Sequence, residues 1–194
     1  MIAARKYGLG VEMPRNQIFD TNSTIEVLKG VPYFNGNQST LTRQFVGEAV
    51  IKIASLTDGT KVDGFNFNMN DQKFPDDHKT ATILGQGTSN VVISNNHIYN
   101  SSSTGITFLQ HEAGKRGTTN LTIENNTYKG TINTNNNLHA ISIHSSIVSI
   151  SEYAKTIKDP QLKELLEMSA TDSPGKTIYP VTVSYTHLRA HETR

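Results

Sequence analysis

The chain reads as an all-β protein, a right-handed single-stranded parallel β-helix with a short helix at its start. Three observations predict this class. Residues 90–99 (Asn-Val-Val-Ile-Ser-Asn-Asn-His-Ile-Tyr) and 120–129 (Asn-Leu-Thr-Ile-Glu-Asn-Asn-Thr-Tyr-Lys) are copies of one pattern, 30 residues apart. In each, apolar residues alternate with polar ones on both sides of an Asn pair, which predicts strand, sharp bend, strand. A looser third copy, Lys61-Val62-Asp63-Gly64-Phe65-Asn66-Phe67, puts Gly64 where Asn95 and Asn125 stand. Gly and Asn share a tolerance of positive φ, so the bend predicts a left-handed residue. A fixed period of this length is the mark of a solenoid.

Energetics demand that the copies stack. Ordering a 30-residue coil costs about 1–2 kcal/mol per residue, so at least on the order of 30 kcal/mol, while its few apolar side chains contribute about 1.5–3 kcal/mol each. Neighbouring coils must therefore share one core and complete the strand hydrogen bonds. Asn, Thr, Ser, Ile and Val dominate the copies, which favours strands over a helical repeat. A sandwich of antiparallel hairpins is the competing architecture, but hairpins do not readily produce three copies in one register.

A third strand per coil is also predicted, from Ala49-Val50-Ile51-Lys52-Ile53, Thr80-Ala81-Thr82-Ile83-Leu84, Gly105-Ile106-Thr107-Phe108-Leu109 and Ala140-Ile141-Ser142-Ile143-His144. In the register this predicts, Ile51/Ala81/Ile106/Ile141 and Ile53/Ile83/Phe108/Ile143 point inward. Lys52, Thr82, Thr107 and Ser142 form an outward ladder. At the bend, Asn95 over Asn125 and Asn96 over Asn126 are expected to stack their amides, as in-register parallel sheets do.

Composition narrows the function. The 194 residues are 35% hydrophobic and 18% charged, with formal net charge +1, which suits one domain of moderate core. The near-neutral balance gives no support to a nucleic-acid partner or an electrostatic membrane partner, and no apolar run is long enough to span a bilayer. Cysteine is absent, so there is no disulfide frame and no thiolate metal site. Nothing in the sequence calls for a cofactor.

In chain order, residues 2–8 read as the end of a helix closed by Gly8. Then follow Gly10-Val11-Glu12-Met13-Pro14, Ser23-Thr24-Ile25-Glu26-Val27, Gly30-Val31 and Gly36-Asn37-Gln38-Ser39-Thr40-Leu41. This opening resembles that of the pectate-lyase-like (rhamnogalacturonase/epimerase-like) right-handed parallel β-helix superfamily, with Arg15-Asn16 where that family prefers a Gly. The resemblance covers roughly residues 1–150. It implies the fold, a helix capping the solenoid, and a polysaccharide as partner. It leaves the activity open among glycoside hydrolase, polysaccharide lyase and a phage tailspike or adhesin that binds glycan without cutting it. A location outside the cell, on its surface or on a virion follows from the same resemblance, and a homotrimer in the tailspike case.

Two loops are enlarged. Residues 68–79 carry Asp76, Asp77 and His78, and residues 110–119 carry His111, Glu112, Lys115 and Arg116. Loops that swell on a solenoid are where function is commonly added. They flank the third strand, so their rims are expected to bound a groove floored by Lys52, Thr82, Thr107 and Ser142. Glycoside hydrolysis needs two carboxyl groups across the scissile bond, about 5–10 Å apart, and Asp76, Asp77 and Glu112 are the catalytic candidates. A lyase instead needs a base and a cation against the enolate, for which His111, Lys115 and Arg116 are available. His78, His111, Lys115 and Arg116 join the groove residues as substrate contacts. The Asp76-Asp77 pair is similar to the aspartate pair of polygalacturonase-like β-helix hydrolases, whose Asn-Thr-Asp, Gly-His-Gly and Arg-Ile-Lys companions are not in this chain. The plain alternative is that both loops are solvated turns.

Of the remaining features, Asp63 is expected to bond its own turn and His97 to be a surface residue. Asn120-Leu121-Thr122 and Asn125-Asn126-Thr127 fit the glycosylation pattern, as an Asn- and Thr-rich repeat will by chance. After Ile150, Asp159 as N-cap and Pro160 at the first position predict a short inserted helix over 160–168. The end, from Val183-Ser184-Tyr185-Thr186-His187 to Arg194, resembles a translated sequencing-library adapter. Residues 1–182 are therefore expected to be a partial β-helix domain and 183–194 a non-native tail, with further coils missing at the C-terminus and the first helix cut short. On that reading His187, His191 and Glu192 are no metal site, although His and Glu can bind zinc.

Overall fold

A computed structural model describes residues 1–70, 81–109, 117–130, 139–143, 148–149, 160, 177–178, 183–185 and 189–190. The chain opens with α1 (Ile2–Tyr7), closed by Gly8 at φ 62°. Met1 and Ala4 pack against the end of the core, so the expected capping helix is present.

The chain then passes through three sheets in turn. Coil one is β1 (Val11–Glu12), β2 (Ile18–Thr21) and β3 (Ile25–Val27). Coil two is β4 (Tyr33–Asn35), β5 (Thr40–Arg43) and β6 (Ala49–Ile53). Coil three is β7 (Asp58–Asp63), β8 (Asn66–Asn68) and β9 (Ala81–Gln86). Coil four is β10 (Ser89–Ser94), β11 (His97–Ser101) and β12 (Thr104–Leu109), and coil five is β13 (Thr119–Glu124), β14 (Thr127–Gly130) and β15 (Ile141–Ile143). A short antiparallel pair follows, β16 (Val148–Ser149) with β17 (Thr177–Ile178). Last come β18 (Val183–Tyr185) and β19 (Arg189–Ala190).

Every third strand is a neighbour. Sheet A runs β1-β4-β7-β10-β13-β18, sheet B β2-β5-β8-β11-β14-β19 and sheet C β3-β6-β9-β12-β15, and all pairings within them are parallel. This is a parallel β-helix. The repeat predicted in the sequence lies in register, with Ile93 beside both Ile123 and Val62, all three buried. The helix expected over 160–168 lies outside the described residues, apart from Pro160, which is helical. Strands β18 and β19, in the segment expected to be a foreign tail, pair in parallel with β13 and β14.

Sequence explains the bend between sheets A and B. Gly64, Asn95 and Asn125 occupy it in successive coils at φ 69°, 54° and 53°, the left-handed region that Gly and Asn tolerate. The residue after each points inward. Asn96 and Asn126 are buried, and the Asn96 side-chain amide donates to Asn126 Oδ1 (2.9 Å) and to the Val62 carbonyl (3.2 Å). Asn96 Oδ1 accepts from the Phe65 N–H, and Asn126 Oδ1 from the Asn96 N–H. The internal amide ladder thus satisfies backbone groups that the bend takes out of the sheets. A second ladder on the outside links Asn120 to Asn90 and Asn90 to Asp58. Asp63 differs from expectation. Its carboxylate accepts from Ser94 and Asn95 of the next coil and pairs with Lys61 at 3.2 Å, tying coils together rather than closing its own turn.

The core lies between the sheets. Phe34, Phe65 and Phe67 stack through it, with centroids 4.7 and 5.4 Å apart, and Ile51, Ile83, Ile106 and Phe108 enter it from sheet C.

Candidate functional site

Period-two alternation decides which side chains of sheet C face out. Glu26 pairs with Lys52, Lys52 with Leu84, Leu84 with Thr107 and Thr107 with Ser142. The outward column is therefore Glu26, Lys52, Leu84, Thr107 and Ser142, and Thr82 is not in it. Ile51 aligns with Ile83, not with Ala81, so the expected register of β9 is wrong by two residues. A two-residue slip keeps the same side chains on the same face, so alternation alone could not detect it. Gly85 resolves it: a Cβ there would stand 2.3 Å from the Phe108 ring, its partner in β12. A glycine opposite an aromatic ring in the next coil was the signal available in the sequence.

The slip changes the floor. Thr82 is fully buried, and its hydroxyl has no hydrogen-bond partner among the described residues. Val50 is buried too, and Leu84 packs with Ala49, Ala81 and Leu109. The outer face of sheet C is thus dry at its middle, with polar groups at Lys52, Thr107 and Ser142. The Lys52 ammonium pairs with Glu48 at 2.7 Å.

Asp76, Asp77, His78, His111, Glu112, Lys115 and Arg116 lie outside the described residues. Their attachment points are described. The first loop enters β9 at Ala81 and the second leaves β12 at Leu109. These strands are parallel neighbours, so the loops are rooted at opposite ends of one sheet, about 17 Å apart for strands of this length. Asp76 and Asp77 share one root, whereas pairing either with Glu112 requires both loops to reach across the face.

Sequence reasoning passed over Arg43. It ends β5 and is 3% exposed. Its guanidinium donates to the Phe45 and Gly47 carbonyls at 2.8 and 3.1 Å and lies 5.4 Å from the Phe45 ring. Burial lowers its pKa from the ordinary value, yet a guanidinium stays charged in proteins. The Asn70 side chain donates to the Arg43 carbonyl, so this buried cation stands at the root of the loop that carries Asp76 and Asp77.

Sheet B presents a different outer surface. Register aligns Thr40, Asn66, His97 and Thr127 in one column and Thr42, Asn68, Tyr99 and Lys129 in the next. All eight are exposed or half-buried. The His97 and Tyr99 rings stack at 5.2 Å and 25°, and His97 Nδ1 is hydrogen-bonded to Thr127 Oγ1. Partial burial, then the nearby Lys129 charge, lowers the His97 pKa. Among the described residues no group of three or more His, Asp or Glu is placed to hold a metal.

No protein-family model matches the chain, and no curated protein matches it. A solved structure from Parabacteroides merdae, described as a "putative glycosyl hydrolase", is similar over 72% of this chain and 79% of that one, at 14% identity and a TM-score of 0.40. With so loose a superposition, none of that protein's chemistry is transferred to this chain.

Proposed function

We propose that this chain is the β-helix of a carbohydrate-active protein that binds a polysaccharide across sheet C and cleaves it, and that it belongs with the pectate-lyase-like solenoids. One observation supports this most: two enlarged loops rich in ionisable residues are rooted at opposite ends of adjacent strands, with Lys52, Thr107 and Ser142 on the face between them. The Thr107 and Ser142 hydroxyls and the Lys52 ammonium, which Glu48 now pairs, suit a ligand made of hydroxyls and carboxylates. As a hydrolase, Asp76, Asp77 and Glu112 supply acid and nucleophile or base. As a lyase, His111 removes the proton beside the uronate carboxyl while Lys115 and Arg116 stabilise the enolate.

The second reading is a tailspike or surface adhesin, trimeric in the spike case, that grips glycan without cutting it. In the described part of the sheet C column the carboxylate is Glu26 of the first coil, and the positions beside the two loops, Leu84 and Thr107 with Lys52 and Ser142 on either side, carry none, which favours it. Assay on a polysaccharide panel separates the two, reading new reducing ends against ultraviolet absorbance from unsaturated uronates. A hydrolase gives the first signal alone, lost by a hundredfold or more in Asp76→Asn, Asp77→Asn or Glu112→Gln. A lyase gives both signals, lost in His111→Ala. Binding with neither signal overturns cleavage and leaves recognition.

A further inference from the structure

We infer that the outer face of sheet B is a second glycan-binding surface, built to hold an extended, uronate-bearing polysaccharide along the solenoid axis. It shares the ligand class of the reading above but lies on another face and rests on described residues alone. Strands β5, β8, β11 and β14 are short, and each shows two outward side chains in register. Stacking sets those side chains at the strand spacing, about 4.8 Å, so the two columns form a strip along the axis. Threonine, asparagine, histidine, tyrosine and lysine make up the strip, with no carboxylate from Thr40 to Lys129. The nearest acid in register is Asp20 of β2, already bonded by Gln44.

The strip has spare hydrogen-bonding capacity at its centre. The Asn66 side chain donates to the Gln38 carbonyl, and Asn68 Oδ1 accepts from Asn100. The Asn68 amide nitrogen, the Tyr99 hydroxyl and the Lys129 ammonium have no hydrogen-bond partner among the described residues. Asn68 and Lys129 flank Tyr99 on either side in register. Tyr99 therefore offers an apolar ring with a polar tip between an amide and an ammonium. A pyranose has an apolar C–H face, a rim of hydroxyls and, in a uronate, a carboxylate. The Tyr99 ring face turned away from His97 receives the first, Asn68 and Thr42 the second and Lys129 the third. Outer residues placed only for packing would be dry, as Val50, Thr82 and Leu84 are on sheet C.

Affinity electrophoresis of the full chain through gels containing polygalacturonate, with hydroxyethylcellulose as the neutral comparison, tests this. Polygalacturonate is expected to retard the protein, less so as salt rises. Tyr99→Ala and Lys129→Ala are each expected to weaken retardation about tenfold, Tyr99→Phe to keep most of it and Lys29→Ala, an exposed lysine on neither surface, to change it less than twofold. Thermal melts within a few degrees of the parent show that the variants are folded. Loss on Lys52→Ala with no loss on Tyr99→Ala overturns the strip and leaves the sheet C reading standing. Equal retardation by both polymers overturns the uronate assignment. Retardation by neither overturns the strip, whatever the cleavage assays show.

Discussion

At the scale of single residues, position in the bend decides what an asparagine does. Asn95 and Asn125 are there for their backbone, at positive φ and exposed, whereas Asn96 and Asn126 are there for their amides. The two roles predict opposite tolerances. Asn96→Ala strips a buried acceptor from the Phe65 N–H and a donor from the Val62 carbonyl, so it is expected to cost about 2–4 kcal/mol. Asn125→Gly keeps the left-handed turn and should stay within about 0.5 kcal/mol of the parent, while Asn125→Val should cost about 1–2 kcal/mol. Denaturant unfolding of the three variants checks the ordering. Equal costs for Asn96→Ala and Asn125→Gly would mean that the internal ladder does not stabilise the coil. The backbone role was legible in the sequence, because Gly64 stands where Asn95 and Asn125 do; the amide role was legible only in part, since Asn96 and Asn126 bond each other as expected whereas the Asn95 amide, expected to stack on Asn125, donates to Asp63 instead. His97 and Tyr99 were less legible. A histidine and a tyrosine two apart mean little until register sets Asn68 and Lys129 beside the ring.

At the scale of elements, strand β9 shows where pattern reading stops. Strands β6, β9, β12 and β15 of sheet C were expected, β3 was not aligned with them, and β12 and β15 took the expected register, with Ile106 opposite Ile141 and Thr107 opposite Ser142. Strand β9 slipped because Ala81 and Ile83 share a face, and either satisfies an alternation rule. The Phe108 ring against Gly85 is the physical determinant. The correction carries a stability prediction. Thr82, once expected to line an open groove, is buried with an unpartnered hydroxyl among the described residues. Replacing that hydroxyl by a methyl group in Thr82→Val is expected to raise stability by about 1 kcal/mol, read as a shift in denaturant midpoint at constant slope. A loss of similar size would show that the hydroxyl is bonded or wet, and would return Thr82 to the sheet C groove. The loops read at 68–79 and 110–119 stood out as elaborations by length and charge. How their side chains meet was not legible, since no repeat constrains a segment that occurs once.

At the scale of the whole molecule, stacking turns a weak local pattern into a definite surface. A coil of three short strands cannot order itself, but five in register share one apolar column and repeat each outward position along the axis. Any ladder of ligand groups, on sheet B or sheet C, exists only because the strands run the same way. The chain contains no cysteine, so engineered pairs can report that direction without background. Ser94 lies opposite Glu124 in the parallel register, at a separation of about 4.8 Å that falls within the range of about 4.4–6.8 Å a disulfide spans. Ser94 and Thr119 are at opposite ends of their strands, about 17 Å apart, and would be neighbours only in an antiparallel pairing. Mild oxidation of the two double variants, followed by peptide mapping, is the most direct measurement. The parallel β-helix predicts an intramolecular bridge in Ser94→Cys/Glu124→Cys and none in Ser94→Cys/Thr119→Cys, and the reverse result would contradict it.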